Sequence, residues 1–292
     1  MGSLSAVSDI FDDTSCELGE GPLWHPVREQ LFWFDILGAQ LLTREGGRTR
    51  QVQFGEYVSA AGWVSESELL IASESRLILF DVDSERREDV EGIEPDDAGT
   101  RTNDGRADPW GGFWISTMAK DKRAGAGTIY RYYQGALTPV VQAVTIPNAI
   151  CFAPDRSLAY YADTVTGQVM RQPLERENGW PKGEAEVFLD LTAEGLHPDG
   201  AVVDAAGNFW NAQWGAWRVA CYSPEGEAIG KVSFDAAHTS CPAFGGPGLT
   251  TLFCTSARED LSKEDAAKSD RHGMTFAFPE TGLGQAEHRV KL

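Results

Sequence analysis

In the stretch ELGEGPLWHP (residues 17–26), an acid, Glu20, stands between two glycines and just ahead of a proline. A solvated turn residue is the ordinary reading of such a G-E-G. Three later stretches raise another. GTRTNDGRADPWGG carries Arg101, Asn103 and Asp104, VTIPNAICFAPD carries Asn148 after a proline, and GLHPDGAVVDAAG carries Asp199 before the strand-like AVVD. Taken singly, each is a common turn composition. Taken together, Glu20, Asn103, Asn148 and Asp199 lie within a few residues of the first strand in their own copies of a recurring pattern. The equivalent stretches YVSAAGW and SCPAFGG carry no acid there. Turn formers should be indifferent to which copy they occupy, whereas ligands drawn from different copies should not. Two carboxylates and a carboxamide offer only oxygen donors, which suits Ca²⁺, Mg²⁺, Mn²⁺ or, at some cost in affinity, Zn²⁺.

The pattern that positions these residues is a repeat of short strands. EQLFWFDILGAQLLTRE, SELLIASESRLILFDVD, GGFWISTM…GTIYRY, RSLAYYADTVTGQVMRQPL and GNFWNAQWGAWRVACYS share one order: turn, apolar strand, polar break, second strand. GLTTLFCTSA followed by GMTFAFP is the last copy. β-Branched and aromatic residues between Gly, Pro, Asp and Asn argue for strands. A recurrence of roughly 40 to 50 residues argues for four-stranded propeller blades. The expected architecture is therefore all-β, a single six-bladed β-propeller of four-stranded antiparallel blades spanning residues 1–292. Either AVSDIF or EHRVKL is expected to complete the last blade, since an open ring leaves edges unpaired. Residues 258–270, REDLSKEDAAKSD, are expected to form a short helix or a loop. Loops entering the inner strands surround the channel mouth, where polar residues converge.

The bulk composition narrows the function classes. A formal charge of −19 opposes nucleic acid or an anionic membrane as partner. No apolar run reaches bilayer length, and MGSLSAVSDIFDD lacks the basic and apolar regions of a secretory signal, so a cytoplasmic location is expected. The five cysteines are scattered and form no C-x-x-C pair, arguing against a disulfide framework or a thiolate zinc site. Neither G-x-S-x-G nor H-E-x-x-H occurs, which leaves activation to a metal.

The chain resembles the senescence-marker-protein/gluconolactonase/luciferin-regenerating-enzyme family over nearly its whole length. The resemblance is carried by GEGPLW, RTNDGRADPWGGFWISTM, IPNAICFAPD, YYADT, HPDGAVVDAAGNFW and TSAR, in that order, and the look is nearest to bacterial sugar-lactone hydrolases. It implies one divalent metal on the axis, held by Glu20, Asn148 and Asp199. It further implies substrate contacts from Arg101 and Asn103, and from Asp121 in TMAKDKR. At that position the family usually has Glu, and the following loop is shortened here. His197 is not a position the family fixes and reads as a rim histidine. Trp214 and Trp217, in QWGAW, are candidates for pocket walls or for core.

The expected reaction is hydrolysis of an aldonolactone of the glucono-, xylono- or arabinonolactone type. A bound cation would polarise the ester carbonyl and lower the pKa of coordinated water, and Asp199 would double as general base. The expected partner is a small-molecule sugar lactone, with neither nucleic acid nor membrane, and the chain would act as a monomer or weak homodimer. Two rivals stand beside this reading: a non-enzymatic metal-binding scaffold, and a phosphotriesterase-like esterase.

Overall fold

Second strands of the repeats, such as Gln30–Asp35 (QLFWFD), Glu68–Ser73 (ELLIAS) and Phe113–Ala119 (FWISTMA), are apolar on both faces and bury on both. Fourth strands such as Arg48–Gln53 (RTRQVQ) and Arg87–Gly92 (REDVEG) are charged and mostly exposed, the composition that blunts a sheet edge. This gradient stacks each repeat into a blade with an apolar interior and a polar rim. In the computed structural model, which describes residues 8–292, the outcome is six four-stranded antiparallel sheets.

Blades 1 to 5 span residues 19–53, 58–92, 100–144, 147–190 and 197–233, each with its strands in sequence order. Blade 6 takes His238–Gly245, Thr251–Ala257 and Thr275–Phe278 and adds Asp9–Asp12 as its outermost strand. The N-terminal candidate thus completes the last blade, with Asp9 opposite Ala277 and Ile10 opposite Phe276. The first strand of each blade packs against the first strands of both neighbours, which closes the ring.

EHRVKL does not pair as a strand; it crosses the base of the channel. The Gln285 amide donates to Phe152 O and Val203 O, Trp63 Nε1 donates to Glu287 O, and Glu287 pairs with Arg106. Val290 is fully buried beside Gly62, where a Cβ would lie 2.5 Å from its Cγ2. Closure had already been met at the N-terminus, so the alternating pattern of this tail serves packing. Residues 258–270 contain one helical turn, Lys263–Ala266, capped by the Ser262 side chain. Among the described residues, no helix is long and apolar enough to cross a membrane.

Candidate active site

All six innermost strands break register at the same level of the channel. The shifts fall between Glu20 and Leu23, Val58 and Ala60, Thr102 and Gly105, Asn148 and Cys151, Pro198 and Ala201, and Thr239 and Pro242. A bulge releases a residue from the alternation of the ladder and re-aims its side chain. Glu20, Asn103, Asn148 and Asp199 sit at or inside these shifts, and the two remaining blades place Ser59 and Ser240 there.

The flanking sequence enforces this geometry. Gly21 has φ 53°, and a Cβ on it would lie 2.3 Å from Ser59 O of blade 2. A Cβ on Gly19 would lie 2.5 Å from Ser256 O of blade 6. The two glycines let blade 1 approach both neighbours, which is why Glu20 stands between them. In blade 4 the bulge is made by Ala149, at φ 60°, and the next amide, Ile150 N, donates to buried Asp104 Oδ2 at 2.7 Å. The approaches to the strands of Glu20 and Asn148 are tied in the same way. Asp35 accepts from Glu17 N and Leu18 N just before Glu20, and Asp163 accepts from Thr145 N and Ile146 N just before Asn148.

A polar chain links three blades. Arg101 Nη1 spends its two hydrogens on Thr102 O (2.8 Å) and Asn103 Oδ1 (2.9 Å). Asn103 Nδ2 donates to Pro147 O (3.0 Å) and Asn148 Oδ1 (3.1 Å). Asn148 Nδ2 donates to Thr164 Oγ1 (2.8 Å), whose own proton goes to Pro198 O (2.7 Å). Because the Thr164 hydroxyl has one proton and spends it there, it must accept from Asn148, which fixes the amide orientation. Asn148 Oδ1 then keeps a lone pair beyond its bond from Asn103.

The mouth encloses a cavity of about 330 Å³, at the small end of the range for small-molecule sites. Glu20, Asn148, Asp199, Arg101 and Asn103 all line it. Burial, then the charge of Asp104, pushes the Glu20 carboxyl up to about 8, against the Gly21 N–H and Arg101. Burial, then Glu20, Asp104 and Glu259, raises Asp199 well above the usual carboxylate range. Burial likewise raises Asp104 below them. Buried carboxylates whose nearest charges are mostly other carboxylates call for a cation. Among the described residues no group of three or more His, Cys, Asp or Glu is gathered as a metal site. The donor set here is two carboxylates and one carboxamide, all oxygen, which fits a hard divalent ion that keeps further positions for water or substrate.

Other expected positions fall differently. Asp121 is not brought to the cavity: it lies exposed in the short turn after Phe113–Ala119, with Oδ1 3.1 Å from Arg123 Nε. Its neighbour Lys122 lines the cavity instead. Trp214 is a wall residue, stacked on His238 with centroids 4.1 Å apart. Trp217 is not; it packs edge-on against His272. His197 stands exposed on the rim. Thr164, Glu259 and Asp260 were not singled out by sequence reasoning, although YYADT contains Thr164 and TSAR ends one residue before Glu259.

Comparison with known proteins places the fold and site in context. A 6-deoxy-6-sulfogluconolactonase of Pseudomonas putida is 34% identical, over 92% of this chain and 94% of its own. An L-arabinolactonase of Azospirillum brasilense is 33% identical, over 96% and 94%. The crystal structure of a calcium-binding protein, regucalcin, from Agrobacterium tumefaciens superposes with a TM-score of 0.95 at 37% identity, covering 98% of both chains. The model of the SMP-30/gluconolactonase/LRE-like region matches residues 18–258, and the chain belongs to that family.

Proposed function

We propose that this protein is a metal-dependent sugar lactonase that opens an aldonolactone of the glucono-, xylono- or arabinonolactone type to the aldonic acid. The observation that carries this reading is the buried pair Glu20 and Asp199, joined by Asn148 in the cavity beside Arg101. The lactonase names of its relatives support the reaction class, and the calcium-binding description of the regucalcin relative supports a divalent ion. Ca²⁺, Mn²⁺, Zn²⁺ and Mg²⁺ all remain candidates for this donor set.

Glu20, Asn148 and Asp199 would hold the ion. When bound, a divalent cation supplies Lewis-acid polarisation of a carbonyl and acidification of water. Asn103 acts chiefly through Asn148, because both its amide hydrogens are committed; only its Oδ1 retains capacity for a sugar hydroxyl. Arg101 has Nε and Nη2 free of the bonds made by Nη1, and these donors stabilise the oxyanion as the ring opens. Asp199 would take the proton of the attacking water and return it to the ring oxygen as the acyl C–O bond breaks, a second role for a carboxylate that would also bind the ion. The protein acts on this small molecule in the cytoplasm as a monomer or weak homodimer, without nucleic acid or membrane.

The test is a panel of pentono- and hexonolactones assayed after chelation and refilling with each of the four ions. Turnover that disappears on stripping and returns with one or more ions is expected. Equal turnover before and after stripping, or none on any lactone, would overturn the assignment.

A further inference from the structure

An ion-pair cluster crosses the cavity mouth and joins blades 3 and 6. Lys122 Nζ lies 2.8 Å from Asp260 Oδ2 and 3.3 Å from Glu259 Oε1. Lys122 and Asp260 have φ 58° and 54°, a conformation that side-chain-bearing residues adopt at a cost. The Glu259 backbone is pinned at both ends: its N–H donates to Glu17 O at 2.9 Å, and its carbonyl accepts from His238 Nδ1 at 3.0 Å. His238 in turn stacks on the wall residue Trp214. The Glu259 backbone is thus held firmly at the cavity wall.

Charge on the lining is the second observation. Glu20, Asp199, Glu259 and Asp260 face two cations, Arg101 and Lys122. One divalent ion on Glu20 and Asp199 balances the four carboxylates against the two cations. Arg101 is buried at the inner end, and Lys122, the outer cation, is held by two carboxylates. Among the described residues that line the cavity, no surplus positive charge is then left for a phosphate, sulfonate or carboxylate on the substrate.

We infer that Glu259 is a specificity-determining residue, accepting a hydroxyl of an uncharged sugar lactone, and that the Lys122–Glu259–Asp260 clasp disfavours lactones bearing an anionic substituent. This rests on the lactonase reading. It leaves the axial chemistry unchanged and adds the half of the pocket that reads the sugar.

The experiment compares initial rates on D-glucono-1,5-lactone and 6-phospho-D-glucono-1,5-lactone, using refilled holoenzyme. The chains are wild type, Glu259→Gln, Glu259→Gln/Asp260→Asn, and that double variant with Lys122→Met, each checked for fold by circular dichroism. Glu259→Gln should raise KM for the neutral lactone by about tenfold, with the smaller change in kcat, since a bond to a charged acceptor is lost. The double variant frees Lys122 and should shift the neutral-to-phosphorylated ratio of kcat/KM by about tenfold toward the anion. Adding Lys122→Met should reverse that shift. Neutral lactone turnover with an unchanged ratio in the double variant, or an unchanged KM in Glu259→Gln, would overturn the inference alone. Wild type inactive on both lactones and on the wider panel would overturn the lactonase reading and the inference with it.

Discussion

The two ends of the axial channel treat buried charge in opposite ways. At the base, the Arg106 guanidinium donates to Ile150 O (3.2 Å) and Ala201 O (3.3 Å) and pairs with Glu287 of the C-terminal tail. Both side chains are nearly closed off, at 11% and 7% exposure, yet each has a partner. At the mouth, Glu20 and Asp199 are buried as deeply, and the Gly21 N–H is the hydrogen-bond donor to Glu20. Their principal electrostatic neighbours are acids. Natural cores rarely keep uncompensated charge, and where they do, the group is a site candidate. The base is complete as a protein structure. The mouth leaves its two buried acids without such a partner, which is the feature the proposed cation would answer.

The contrast can be broken most sharply at the mouth. Glu20→Gln and Asp199→Asn should each lower lactone kcat/KM by about a thousandfold or more, through loss of several kcal/mol of transition-state stabilisation. The same variants should leave the melting temperature of the stripped protein equal or higher, because a buried like-charge contact is removed. Scanning calorimetry beside the kinetic assay checks both, and a large fall in melting temperature would place these residues with the structural charges of the base. Glu287→Ala should behave in reverse: a loss of about 3 kcal/mol of stability in denaturant unfolding, with metal stoichiometry retained. Asn103→Ala should weaken metal affinity by about tenfold, as expected when a ligand loses the group that orients it. Unchanged affinity by calorimetric titration would confine Asn103 to substrate contact.

A further expected effect is a pH dependence. A carboxylate whose folded pKa is raised binds more protons folded than unfolded, so its contribution to stability falls as pH rises between the two values. For Glu20 that window runs from its ordinary 4.5 to about 8. The stripped protein should lose stability across it, and added divalent ion should restore more at the alkaline end. A stripped protein that gains stability through this window would contradict the burial of an unpartnered acid.

The blades were legible because strand periodicity and turn residues are local signals. The apolar runs LFWF within Gln30–Asp35 and LLIA within Glu68–Ser73 can each be read without neighbours. Glu20, Asn148 and Asp199 could be singled out because each holds one place in its repeat, and the register shifts give that place a physical cause. The clasp was not legible. Lys122 and Asp260 lie 138 residues apart, and nothing local distinguishes either from a surface charge. Asp121 illustrates the converse: a position inferred from likeness loses its geometry once the following turn is short enough to leave its side chain in solvent. The tail EHRVKL has strand-like alternation, but the role of Val290 depends on the space above Gly62, which only the assembled ring creates.

The most direct measurement is a calorimetric titration of chelator-treated protein with Ca²⁺, Mn²⁺, Zn²⁺ and Mg²⁺, run in parallel on Glu20→Gln/Asp199→Asn. The account predicts one site per wild-type chain for at least one of these ions, lost in the double variant, with lactone turnover rising in step with occupancy. Binding that survives unchanged in the double variant, or turnover at full rate before any ion is added, would contradict it.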